Sequence, residues 1–204
     1  MLLKTACLLL GAVALLSTVA FRTGGSSRDA GPEYTSDGQI RLPEHYREWV
    51  YLSSGFDMSY TPAAKGSSAH MFDNVFVNPE AYKAFIDTGT WPDGTMLMLE
   101  VRGAEGKVSI NQGGNYQSTD VRGLEVHVKD SRRFGGNWAF FGFGEGKTGK
   151  MIPRSASCYS CHAEHAAVDT TFVQFYPTLL PVAKSKRVFS AEYLKEAAGG
   201  KPIR

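Results

Sequence analysis

The chain has 204 residues, with 22 Lys and Arg against 20 Asp and Glu, a formal net charge of +2, and 43% hydrophobic residues. This composition excludes a disordered or fibrous chain and suits one domain with a tail at each end, and the near balance of charge gives no electrostatic basis for holding nucleic acid. Three cysteines are too few for a disulfide scaffold or a four-cysteine zinc or iron–sulfur site.

At the N-terminus, Lys4 precedes an uncharged stretch from Thr5 to Phe21 that Arg22 closes. Its most apolar part, Ala6 to Leu16, has the length of a signal-peptide core, and Thr18 and Ala20 are small residues at the spacing a signal peptidase needs. Residues 1–20 therefore read as a signal peptide. An uncleaved N-terminal anchor is the alternative, because the stretch reaches the short edge of the roughly 17–25 residues that span a bilayer. On either reading the folded part is exported, which places the protein in the periplasm. Cys7 lies inside the apolar stretch, not after it where a lipid-attachment cysteine stands, and reads as a small hydrophobe. Residues 21–40, rich in Gly, Ser, Asp and Pro, read as a flexible linker. Residues 41–185 form the predicted domain, and 186–204 a terminal helix and a tail that frays through Gly199-Gly200-Lys201-Pro202.

Within the domain, Pro43 to Trp49 reads as a short helix running into a strand at Val50–Leu52. The β-branched and aromatic run Met71 to Val77 is a strand. Asn78-Pro79 starts a helix with Asn as cap and Pro at the first helical position; Tyr82, Phe85 and Ile86 give it an apolar face and Gly89 closes it. Pro92-Asp93-Gly94 is a turn into a strand, Thr95 to Val101, that is apolar on both faces until Glu100. Leu124, Val126 and Val128 alternate with Glu125, His127 and Lys129, a strand with one wet or pocket-facing side. Asn137 to Phe143 is an aromatic strand and Thr171 to Tyr176 another candidate. Cys158 to Ala167 and Ser190 to Ala198 read as helices. Many strands with few local helices, no regular strand–helix alternation and no Gly-rich phosphate loop predict an α+β fold around a mainly antiparallel sheet.

Cys158-Tyr159-Ser160-Cys161-His162 is C-x-x-C-H, the attachment pattern of haem c. Two cysteines three apart reach the two vinyl groups on one edge of a porphyrin as thioethers, and the adjacent histidine becomes the axial iron ligand. Maturation of such proteins happens outside the cytoplasm, in agreement with the exported N-terminus. One covalently attached haem c per chain is therefore expected. The competing readings are a thioredoxin-like redox pair, which lacks its usual strand–helix context here; a zinc site of Cys158, Cys161, His162 and His165, crowded within eight residues; and a structural disulfide. Every methionine, Met96 and Met98 included, precedes the motif, unlike the ligand methionine of small class I cytochromes. That predicts a five-coordinate iron with an open sixth position. Met96 and Met98 share one face of a strand and either approach the iron or fill the core.

Several stretches resemble the cytochrome P-460 family, which includes the cytochrome c′-beta proteins. They are Tyr46-Arg47-Glu48-Trp49, Asn74 to Tyr82, Thr88 to Thr95, Gly123-Leu124-Glu125 with Val128-Lys129-Asp130, Asn137-Trp138-Ala139-Phe140, and the haem motif followed by Phe172 to Pro177. The resemblance implies a largely antiparallel homodimer with His162 proximal to a five-coordinate haem. Enzymes of the family oxidise hydroxylamine and cross-link a lysine to the porphyrin edge. That position falls on Leu99 here, and no lysine occurs between Lys83 and Lys107, so the resemblance points to the c′-beta branch, whose apolar distal pockets bind nitric oxide or carbon monoxide. Asp73 stands where the enzymes have a distal arginine. Glu125 matches their proton-relay glutamate, and in an apolar pocket its pKa would be raised; a solvated strand position is its plainer reading. Phe72 and Phe76 are candidates for an aromatic distal wall or for core. Arg47 and Arg122 would pair with haem propionates or lie on the surface, and His165 is expected on the exposed side of the haem helix.

The expected function is an exported haem protein that binds nitric oxide or a similar small gaseous or nitrogenous ligand, or passes electrons to a soluble redox partner. The alternative is an enzyme acting on hydroxylamine or another small nitrogen compound, or a peroxidase-like activity. A haem-free metal or disulfide domain is the third reading.

Overall fold

A computed structural model describes residues 31–58 and 70–199; the predicted signal peptide, the first half of the predicted linker and the tail from 200 onward lie outside the described residues. The strands are β1 (Ile40–Arg41), β2 (Val50–Phe56), β3 (Met71–Val77), β4 (Met96–Gly106), β5 (Asn115–Lys129), β6 (Trp138–Gly142) and β7 (Thr148–Met151). The helices are α1 (Pro79–Thr88), α2 (Ser157–His165), α3 (Leu180–Lys186) and α4 (Ala191–Ala198), with 3-10 turns at Tyr46–Glu48 and Val173–Phe175. All seven strands join one sheet in the order β1-β7-β6-β5-β4-β3-β2, with every pairing antiparallel. The fold is thus α+β and mainly β, as the pattern of elements predicts.

Strand parity divides the molecule into two cores, because successive side chains leave opposite faces. Val77, Leu97, Trp138 and Phe140 leave the front face, where they pack with Phe85 of α1, Leu179 and Ala183 of the α3 region and Tyr193 of α4. Met96, Met98, Val126, Val128, Ala139 and Phe141 leave the back, where Ile40, Tyr46 and Trp49 cover them. The helices therefore all lie over one face. Met96 and Met98 are core filler on the other face and do not approach the site described below.

Local chemistry explains the best-predicted helix. Pro79 opens α1 after the extended Asn78, and Gly89 ends it at φ 78, donating to the Phe85 carbonyl at 2.7 Å. Asn78 does not cap with its side chain. Its Oδ1 instead accepts from the Met96 amide at 2.8 Å, tying the helix start to β4. The buried face is Ala81 and Phe85, whereas Ile86, predicted inward, is exposed. A Cβ at Gly89 would stand 2.8 Å from Lys186 Cβ and 3.2 Å from Val188, in a backbone conformation that L-residues resist. Gly89→Ala is expected to cost about 1–2 kcal/mol, read as a lower midpoint in urea unfolding.

Other expectations change. The Pro43–Trp49 helix is only the 3-10 turn Tyr46–Glu48. Thr171 to Tyr176 is not a strand but contains the 3-10 turn Val173–Phe175, with Val173 and Tyr176 both turned inward. The predicted linker already takes part in the fold at its described end: Tyr34 packs edge-on against Phe134 at 6.0 Å and beside Phe141 at 6.2 Å. β4 and β5 run longer than predicted and form an arm beyond the sheet.

Candidate haem site

The C-x-x-C-H motif lies on α2. Positions i, i+3 and i+4 share one helical face, so Cys158, Cys161 and His162 point to the same side. That side forms one wall of a cavity of about 580 Å³ between α2 and the front of the sheet, a size usual for cofactor sites. Both thiols are free and half-buried, and burial pushes the Cys161 thiol up.

Tyr159, between the two cysteines, fixes α2 to the sheet. Its hydroxyl accepts from the Phe140 amide at 2.9 Å and donates to the Ile152 carbonyl at 3.2 Å. Its ring stacks on Phe140 at 4.3 Å, and the other face of Phe140 stacks on His127 at 3.8 Å. Arg154 covers the Tyr159 ring and donates to the Trp138 carbonyl. The attachment helix is thus locked in rotation relative to β6.

His162 is held on several sides. The rings of His127, Phe140 and Phe172 surround it at 4.9, 4.8 and 4.3 Å. Its Nδ1 lies 2.8 Å from the Thr170 carbonyl, which only accepts. Nδ1 therefore carries the proton and Nε2 keeps the lone pair that a metal requires. Burial, with the nearby His127 charge, lowers the His162 pKa to about 4, so the ring is neutral through the physiological range.

The sheet supplies the facing wall from odd-numbered positions of three neighbouring strands: Asp73 and Val75 on β3, Leu97 and Leu99 on β4, Glu125 and His127 on β5. Leu99 pairs directly with Glu125 across the ladder and with Val75 on the other side. Asp73 is half-buried, and desolvation, with the charge of Asp57 behind it, raises its carboxyl. Glu125 departs from expectation. His127 Nε2 lies 3.9 Å from its carboxylate, longer than a hydrogen bond, and the proximity of that ring lowers the Glu125 carboxyl against the opposing effect of burial.

The structure brings together Cys158, Cys161, His162, Leu99, Asp73 and Glu125 around one cavity. Phe72 is not among them. As a direct neighbour of Asp73 it leaves the opposite face of β3 and packs on Phe56 at 4.9 Å. Phe76 likewise faces the back, beside Tyr46 at 5.9 Å. Arg47 does not wait for propionates but binds Glu100 on the back face, and Arg122 pairs with Asp120 at 2.9 Å. His165 turns away from the motif, its Nδ1 3.0 Å from Glu196 of α4, so the four-ligand zinc arrangement is not formed.

His127 shares the pocket side with Glu125, as the alternation of its strand allows. Tyr159 and the Thr170 carbonyl escaped the sequence reading, which carries no signal for them. Met58 also lines the cavity, at an exposed position.

The residues fit a haem: a cofactor-sized cavity, two free thiols and a neutral imidazole with a free Nε2 on one wall, and on the other the apolar Val75, Leu97 and Leu99 beside Asp73, Glu125 and His127. A family model described as Cytochrome P460 matches residues 43–173. No curated protein matches the chain.

Proposed function

The chain belongs to the Cytochrome P460 family and so is a haem protein, and from that premise we propose an exported, periplasmic c-type cytochrome that binds nitric oxide or a similar small ligand and exchanges electrons with a soluble partner. The observation that carries this reading is the shared face of Cys158, Cys161 and His162 on one cavity wall, with His162 Nδ1 committed to the Thr170 carbonyl. Cys158 and Cys161 hold the porphyrin as thioethers and His162 Nε2 ligates the iron. The bound haem supplies a redox-active iron with a position for a small ligand.

The chain's own residues favour a gas over a bulky or strongly hydrated substrate. Val75, Leu97 and Leu99 make the centre of the facing wall apolar, and an apolar lining admits a small neutral ligand at low desolvation cost. Leu99 sits where a cross-linking lysine would stand, directly opposite Glu125, so the reading includes an uncross-linked porphyrin and the c′-beta branch. Of the remaining parts of the proposal, one haem per chain follows from the C-x-x-C-H motif at Cys158 to His162, and a homodimer from the family resemblance.

One observation favours the enzymatic alternative: Glu125 and Asp73 both reach the cavity as candidate proton carriers. Steady-state assay with hydroxylamine and an electron acceptor separates the two readings. Negligible turnover together with tight nitric oxide binding is expected. Sustained hydroxylamine-dependent reduction of the acceptor, lost in Glu125→Gln, would replace the binding reading by the enzymatic one.

The sixth position is the second point of test. Met58 is the methionine among the described lining residues, at 38% exposure. Met58→Leu is expected to leave the ferrous and ferric spectra unchanged. A low-spin spectrum in the native protein that becomes high-spin in this variant would show a methionine-ligated electron-transfer haem instead.

A further inference from the structure

The carbonyl that fixes His162 belongs to a strained turn. Val168 and Thr171 pair antiparallel, with the Thr171 amide 2.8 Å from the Val168 carbonyl and the reverse bond at 3.2 Å. Between them Asp169 has φ 45 and Thr170 φ 57. Two successive left-handed residues make a hairpin turn of the type that favours Asn-Gly or Asp-Gly. Asp suits the first position. Thr at the second is β-branched, and such a conformation is strained and persists only where the surroundings impose it. The Thr170 hydroxyl does not help, since among the described residues it is a buried group with no hydrogen-bond partner.

The surroundings that impose the turn are visible. Lys129 Nζ, from β5, lies 2.5 Å from Asp169 Oδ2 and also donates to the Trp91 carbonyl at 2.8 Å. Trp91 Nε1 donates to Thr171 Oγ1 at 2.9 Å, and that hydroxyl donates to the Val168 carbonyl at 2.6 Å. The Lys129 side chain is 16% exposed and that of Asp169 31%, so the ion pair is shielded from water and from salt.

We propose that Lys129 and Asp169 are positioning residues whose ion pair holds the strained Asp169-Thr170 turn, so that the Thr170 carbonyl accepts the hydrogen bond from His162 Nδ1–H and strengthens the histidine as an axial ligand. This rests on the reading of His162 as that ligand. A hydrogen bond from Nδ1–H to a fixed carbonyl makes the imidazole a stronger donor at Nε2, and stronger donation favours the oxidised iron. Relaxing the turn lengthens that bond, weakens the iron–histidine link and raises the reduction potential.

The test uses the haem-loaded full chain with covalent haem content measured first. Lys129→Met, Asp169→Asn, Lys129→Arg and the double variant Lys129→Met/Thr170→Gly are compared with the native protein by resonance Raman spectroscopy of the ferrous iron–histidine stretch and by redox titration. Lys129→Met and Asp169→Asn are expected to move the stretch to lower frequency and the potential upward. Lys129→Arg, which keeps a long cation opposite Asp169, restores the native values. Glycine at 170 takes the left-handed conformation without penalty, so the double variant also recovers them in the absence of the clamp. Unchanged stretch and potential in both single variants, with only the melting temperature lowered, overturn the proposal, because a merely structural pair would behave in that way. A native protein whose covalent haem is high-spin and five-coordinate when reduced, yet shows no iron–histidine stretch, removes the axial reading of His162, and this proposal with it.

Discussion

Replacing His162 by alanine is expected to leave porphyrin attached through Cys158 and Cys161 while abolishing the native axial ligation, with loss of the native Soret and visible bands. The imidazole is enclosed by three aromatic rings and one carbonyl bond, so its removal opens a space beside the cavity that bulk water fills poorly. Added imidazole should therefore restore much of the native spectrum. Cys158→Ala or Cys161→Ala should instead leave the iron ligated but convert covalent retention into partial or complete loss of haem on acid–organic extraction. An unchanged spectrum in His162→Ala would contradict the axial assignment, and unextractable haem in a variant lacking both cysteines would contradict the attachment.

The second large effect lies on the other face of the sheet. Glu100 is 2% exposed on β4, next to Leu99 of the cavity wall, and accepts from Tyr46, Arg47 and Arg102. Burial alone would raise its carboxyl, but the bonds from Arg102, Tyr46 and Arg47 outweigh burial and the pKa is lowered. A carboxyl lowered by folding stabilises the protein fully above the ordinary glutamate value, about 4.3, and loses that contribution as pH falls through the folded value. Removing one partner of a buried ion pair costs roughly 3–5 kcal/mol, because the other charge is left uncompensated. Glu100→Leu should sit at the lower end, about 3 kcal/mol at pH 7, because the Arg47 side chain is 53% exposed and can rehydrate. Urea unfolding at pH 7 and at acid pH checks the sign: the gap between native and variant must shrink on acidification. A gap independent of pH would assign the loss to packing and not to the ion pair.

Both cases show what the sequence could and could not disclose. The alternation through Leu124–Lys129 placed Glu125 and His127 on one face, and that face is the pocket. Alternation alone does not say whether the polar side meets water or a covering helix, and for His127 the answer came only with α2 and Phe140. Phe72 and Asp73 were both expected in the pocket, yet neighbours on a strand cannot share a face; the same parity separates Met96 and Met98 from Leu97 and Leu99. The helical spacing of Cys158, Cys161 and His162 was legible because three positions suffice to define a face. β1 and β7 were not, since two and four residues are too few to display a period. The Asp169-Thr170 turn was hidden for a different reason: its sequence contradicts local preference, and distant Lys129 and Trp91 hold it.

The most direct measurement is the absorption spectrum of the protein exported and matured with haem, taken oxidised, reduced, and reduced with nitric oxide. A high-spin c-type ferrous spectrum that changes on adding nitric oxide is the predicted result. A six-coordinate low-spin spectrum indifferent to nitric oxide, or a strongly red-shifted ferrous Soret band marking a cross-linked porphyrin, would contradict an open, uncross-linked haem ligated by His162.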